Sequence, residues 1–171
     1  MKWIALVLGV LAGFVAVIAI AGALRPADHV ASLTFHLGAR RDSVWATITD
    51  FTGTPQWFDG VRRSERIADV DGRPAWKEDF DGFEVTLVQR ERTEGTQLVR
   101  EILPSGSFSG TWTYDLADDG SGTRLTITER GHVGNPLFRG MMIFSDDTKT
   151  MRRYAAALGR KLGTSAAVVA Q

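Results

Sequence analysis

The sequence predicts an α+β fold: one strand, two short helices, an antiparallel meander and a long C-terminal helix, all behind a single apolar N-terminal helix. Three observations carry this reading. Trp3 to Leu24 is an unbroken run of 22 residues without a charged side chain. Turn signals at Asp71-Gly72, Asp81-Gly82, Glu94-Gly95, Ser105-Gly106 and Asp119-Gly120-Ser121-Gly122 then punctuate five or six strand-like segments with no helical stretch between them. Finally, Leu137, Met141, Phe144, Thr148, Met151, Ala155, Leu158 and Leu162 recur at spacings of four and three, the period of one helix face.

A helix rising ~1.5 Å per residue makes the first run about 33 Å long, enough for a hydrocarbon core of about 30 Å. It satisfies its own backbone polar groups there. Residues 1–25 therefore read as a transmembrane anchor, with residues 3–24 in the membrane. A cleaved signal peptide is the alternative, since Lys2 supplies a charged start and Ala21-Gly22-Ala23 has the small-x-small form of a cleavage site. A signal's apolar region usually covers only about 7–15 residues. Lys2 on one side, and Arg25 with the more distant Arg40 and Arg41 on the other, nearly balance. The positive-inside rule then gives only a slight bias toward a single-pass protein with its domain outside the cytoplasm. Gly9 and Gly13, with Ala5 before them, offer a small-residue face for a weak dimer of anchors.

Residues 26–163 hold one domain. From Val30 to Leu37, Ala31, Leu33, Phe35 and Leu37 alternate with Ser32, Thr34 and His36, a half-buried strand. Val44, Trp45, Ile48 and Phe51 then mark a short amphipathic helix over Asp42–Phe51. Thr52-Gly53-Thr54-Pro55 ends it, and Gln56-Trp57-Phe58 reads as a second brief turn of helix. The strands of the meander follow. Asn135-Pro136 starts the last helix with an N-cap and a first-turn proline, and Gly163 ends it. Its single apolar stripe must lie on the apolar side of the sheet. The small-residue stretch Thr164 to Gln171 reads as a frayed tail.

Charge and composition exclude several functions. Of 20 basic residues only Lys2 precedes Arg25, and all 20 acidic ones follow it, so residues 25–171 carry a net charge of −1. That leaves no electrostatic footprint for nucleic acid and no polybasic patch for anionic lipid. The absence of cysteine rules out disulfides, thiolate metal sites and cysteine nucleophiles, and fits either side of a bacterial-type inner membrane. The three histidines, His29, His36 and His132, show no metal-ligand spacing and no Ser/His/Asp arrangement. No phosphate-binding or dinucleotide motif occurs. No catalytic residue, metal or cofactor is therefore assigned.

The segment Asp42–Phe51 with Trp57 after it, Gly110-Thr111-Trp112-Thr113-Tyr114, Gly122 to Glu129 and Asn135-Pro136-Leu137 together resemble the START-like helix-grip superfamily, also called SRPBCC. It includes lipid-transfer START domains, plant pathogenesis-related ligand binders and polyketide cyclases. The resemblance spans roughly Val30 to Gly163. It implies a helix-grip fold, a curved antiparallel sheet around the long helix, with a hydrophobic cavity between them. Fold alone does not fix activity.

Hairpin register indicates what faces such a cavity. A two-residue turn at Asp81-Gly82 sets Phe80 opposite Phe83, Glu78 opposite Val85 and Trp76 opposite Leu87; a turn at Thr93–Thr96 sets Gln89 opposite Arg100 and Leu87 opposite Ile102. Phe108, Gly110, Trp112 and Tyr114 share one face, as do Leu125, Ile127 and Glu129. The apolar parity thus carries four polar residues, Glu78, Gln89, Arg100 and Glu129, which are costly to bury unpaired. Either they orient a ligand's polar group in an apolar pocket, or they pair internally or reach solvent at strand ends. The ligand-binding set expected on this reasoning is Trp57, Trp76, Leu87, Arg100, Phe108, Trp112 and Glu129 from the sheet side, with Met141, Phe144 and Thr148 from the helix side. His132, at the end of the last strand, is a possible acid–base partner for Glu129.

The expected function is a membrane-anchored START-like domain that takes a small hydrophobic molecule or lipid into an internal cavity. Two alternatives stay open: a cyclase-, dehydratase- or hydrolase-like enzyme acting on a hydrophobic substrate there, and a protein-interaction module whose cavity is filled.

Overall fold

Tight turns set the sheet. In the computed structural model, which describes residues 2–106, 108–144 and 146–169, strands β1 (Asp28–Leu37), β2 (Val61–Val70), β3 (Arg73–Phe80), β4 (Phe83–Thr93), β5 (Gln97–Ser105), β6 (Phe108–Asp119), β7 (Gly122–Val133) and β8 (Ala166–Val168) form one antiparallel sheet in the order β2-β3-β4-β5-β6-β7-β1-β8. Asp71-Gly72 and Asp81-Gly82 adopt positive φ at both positions, the twist a two-residue hairpin needs. Phe80 pairs with Phe83, Glu78 with Val85 and Trp76 with Leu87, as their turn predicts. Gln89 pairs with Arg100 and Leu87 with Ile102, by a different route from the expected one. The turn closes Thr93 on Gln97, and a bulge at Arg90 restores the register. A bulge adds one residue to one strand and shifts its pairing by one.

The helices are α1 (Lys2–Ala23), α2 (Arg41–Thr49), α3 (Pro136–Met141) and α4 (Lys149–Lys161), with 3-10 turns at Thr54–Gln56 and Met142–Phe144. Only Gly22 of α1 is buried, and the helix is long and apolar enough to cross a membrane. Val44, Trp45 and Ile48 of α2, with Phe51 beyond it, pack into the same core as Phe35, Leu37, Leu125 and Ile127 of the sheet. From α4, Met151, Ala155 and Leu158 are fully covered. The helix closes with Thr164 N–H on the Gly159 carbonyl and Gly163 N–H on Arg160, a Schellman ending.

Two expectations change. The continuous helix from Pro136 to Gly163 is instead α3, a 3-10 turn and α4. The Asp146 carboxylate accepts from the Thr148 backbone N–H at 2.8 Å and its hydroxyl at 2.6 Å, a local turn that competes with helix. The two pieces also dock on different surfaces: α4 on the sheet, α3 on α1. The three-and-four spacing runs through the break, so periodicity alone does not reveal it. The tail, in turn, is not simply frayed. Ala166–Val168 extends the sheet as β8, with Phe35 opposite Val168 and Leu37 opposite Ala166; residues 170 and 171 lie outside the described residues.

Candidate functional site

The apolar parity of the meander opens onto a cavity of about 190 Å³ between sheet and α4. Leu87, Ile102, Phe108 and Trp112 supply apolar wall from β4, β5 and β6, and Tyr154 and Thr150 close it from α4. Phe58 and Ile48 bound it on the α2 side. Tyr154 stands in an aromatic cluster, its ring centroid 5.2 Å from both Trp57 and Phe58 and 5.6 Å from Tyr114. Burial raises the pKa of both phenols above its ordinary range, so each hydroxyl stays a neutral donor.

Three charged side chains reach this wall. Glu78 and Arg100, both almost fully buried, form an ion pair at 2.8 Å, and the same Glu78 oxygen accepts from the Ser64 hydroxyl at 3.0 Å. The Arg100 guanidinium also lies 4.0 Å from the Phe51 ring centroid. Its buried Nε finds no acceptor among the described residues. Glu129, with a side chain only 13% exposed, stands 3.8 Å from His29 Nε2. Burial pushes the Glu129 carboxyl above the usual range, and the His29 charge and the Trp112 indole draw it partly back down.

Gly131 makes room for that pair. It lies opposite His29 across the β1–β7 ladder, and a Cβ there would collide with the His29 ring. A second crevice, of about 160 Å³, sits where α1 joins β1, between Arg25, His29, Val133, Arg139 and Met142. His29 lines this crevice and Glu129 lines the cavity, so the pair stands between the two spaces. Among the described residues, no group of three histidine, aspartate or glutamate side chains is placed to hold a metal ion.

The sequence matches the family described as polyketide cyclase / dehydrase and lipid transport over residues 28–163. The chain belongs to this family. Solved structures share the fold. A START superfamily protein from Mycobacterium smegmatis is 19% identical over 79% of this chain and 97% of its own, with a TM-score of 0.63. The Zhui aromatase/cyclase from Streptomyces sp. R1128 is 15% identical over 80% of this chain and 94% of its own, at 0.66. Norcoclaurine synthase from Thalictrum flavum is 13% identical over 81% of this chain and 96% of its own, at 0.62. Comparison with curated sequences finds no match. The START-like helix-grip fold is therefore that of the family, with an apolar N-terminal helix before it.

In this polyketide cyclase/dehydrase-type domain, five of the ten expected residues meet at the cavity: Leu87, Arg100, Phe108, Trp112 and Glu129. Trp57 packs behind Tyr154, and Trp76 stands edge-on to Phe51 at 4.4 Å, both outside the lining. Met141 points away on α3, 59% exposed, and Thr148 precedes α4 without reaching the cavity. The break between α3 and α4 explains both, because Thr150 and Tyr154 take the helix side instead. The Phe144 side chain lies outside the described residues. Gln89 is half-buried and off the lining. His132 is not the partner of Glu129; it is half exposed and bonds Asp28 at 2.7 Å. The partner is His29, and a signal for it existed. The in-facing series Leu37, Phe35, Leu33, Ala31 runs back by twos to His29.

Proposed function

We propose that this domain binds a small hydrophobic molecule carrying at least one hydrogen-bond acceptor, and does so tethered to a membrane by α1. The observation that carries this reading is the cavity itself, apolar over most of its wall but lined also by the polar side chains of Arg100 and Glu129. Its volume limits the ligand. About 190 Å³ lies below the roughly 300–1,000 Å³ usual for drug-sized ligands. A fused-ring compound or a single short acyl chain is the right scale; a two-chain lipid is not. Membrane tethering suits such a ligand, which partitions into the bilayer and needs only a short transfer. Gly9 and Gly13 lie on an open face of α1, compatible with pairing of two anchors.

A cyclase-type reading has one observation in its favour: Glu129, held toward its protonated form beside His29, is placed for proton transfer to a bound substrate. Native mass spectrometry of the full chain in nanodiscs tests the binding proposal. A defined apolar molecule should be retained by the chain and lost when Leu87→Trp fills the cavity. A chain that retains nothing and takes up no fluorescent fatty-acid probe would overturn it. Consumption of the retained molecule, abolished by Glu129→Gln while binding persists, would favour the enzyme.

A further inference from the structure

The short helix α3 rests on the membrane helix rather than on the domain. Gly22 of α1 and Gly140 of α3 meet so closely that a Cβ on Gly22 would collide with the Pro136 carbonyl, and one on Gly140 with the Ile18 carbonyl. Val133 N–H bonds the Ala27 carbonyl at 2.8 Å, which sets the start of α3 level with the end of α1. Gly22 meets both Pro136 and Gly140, and Gly140 also reaches Ile18 one turn back, so α3 leans back along α1 rather than away from it. The four residues from Gly22 to Ile18 correspond to about 6 Å of helix. Any bilayer that accommodates α1 along its length therefore also meets the far end of α3.

The chemistry of that end fits lipid. Phe138, Met141 and Ile143 are 45%, 59% and 41% exposed. The one charged residue between Pro136 and Phe144 is Arg139. It turns back, donating from Nε to the Gly22 carbonyl at 2.8 Å and from Nη1 to the Val133 carbonyl at 2.7 Å. Those donations tie α3 to the end of α1 and to the end of β7, and keep the charge at the level where α1 leaves its apolar run. Interfacial helices bury their apolar face about 5–10 Å into the headgroup and acyl boundary, which matches the distance α3 runs along α1.

We propose that α3 and the turn after it form a lipid-embedded wedge beside α1, seating the domain on the bilayer with Phe138, Met141 and Ile143 in the outer acyl layer. This rests on α1 spanning a membrane. The wedge makes the tether stiff: the domain cannot swing freely on the linker, and the crevice at Arg25 and Arg139 stays at headgroup depth.

The test uses the cysteine-free full chain in phosphatidylcholine/phosphatidylglycerol vesicles, with bimane attached to single introduced cysteines. Four variants suffice: Phe138→Cys, Met141→Cys, Val17→Cys in α1 and Arg160→Cys at the far end of α4, each checked for native circular dichroism. Phospholipid carrying a shallow nitroxide should quench the labels at 138 and 141 at least twofold, and the label at 160 not at all. If 17 is quenched while 138 and 141 behave like 160, the wedge is wrong and the span stands. If 17 is also unquenched, the spanning reading fails and the wedge with it. Spin labels at 141 that couple between copies, with no quenching by lipid, would mean that a second copy covers this face and would equally overturn the proposal.

Discussion

Glu78 and Arg100 are the residues on which the cavity's chemistry turns. A buried ion pair stabilises little over an apolar replacement, yet breaking it strands a charge at a cost of about 3–5 kcal/mol. Arg100→Met should therefore lower the midpoint of thermal unfolding sharply, whereas Arg100→Met with Glu78→Leu should recover most of the loss. The double variant should nonetheless bind acceptor-bearing probes more weakly than purely apolar ones; unchanged preference would show that Arg100 is structural only. Glu129 allows a second test, by pH. Its carboxyl pKa is raised in the folded state, so its contribution to stability is full below the ordinary value of about 4.3 and is lost as pH rises through the folded value. Glu129→Gln should match the parent near pH 4 and gain on it toward neutrality in melting experiments. A difference independent of pH would rule this out. These residues were legible because strand parity assigns faces and a two-residue turn fixes register. His29 is less legible, because a polar residue at the start of the strand does not continue the apolar alternation of Ala31, Leu33, Phe35 and Leu37.

Among the elements, α4 and α3 illustrate what periodicity can and cannot say. The stripe at spacings of three and four correctly marks Met151, Ala155 and Leu158 as core. It also enrols Leu137 and Met141, which lie on α3, beyond the Asp146–Thr148 turn and outside that core. A local side-chain bond of that kind leaves little trace in a hydrophobic pattern. The same holds for the Arg90 bulge, which returns the β4–β5 pair to the register a simpler turn would have given. Packing predicts a clear split. Leu158→Ala should destabilise by about 2–5 kcal/mol, as buried leucine truncations do, while Met141→Ala, far more exposed, should stay within about 0.5 kcal/mol in detergent. Chemical denaturation of the two variants measures this directly, and equal losses would mean that α3 and α4 share one core after all.

At the scale of the whole molecule, the N-terminal helix and the domain are joined by more than a linker. α3 packs against the last turn of α1 through Gly22, and Arg139 donates to the Gly22 carbonyl. Cleavage within Ala21-Gly22-Ala23 would remove the surface on which α3 lies and uncover Gly140 beside Phe138, Met141 and Ile143, which are already exposed. A cluster of that kind on a released domain is an aggregation liability; on a domain seated as proposed above it would face lipid. Retention of α1, as proposed above, would keep α3 covered, although the small-x-small pattern alone is compatible with either outcome. Chain recovered from membranes should have the intact mass of all 171 residues and resist extraction by alkaline carbonate. A product starting at or near Leu24, recovered in the soluble fraction, would refute this and leave the same cavity working untethered. Substituting Gly22 by Val sharpens the comparison: the bulk that would disturb an α1–α3 contact should loosen α3, read as faster amide exchange over residues 137–142, without altering exchange in β6 or β7. Equal exchange in α3 with and without that substitution would show that the two helices are not coupled and that the anchor is a simple leash.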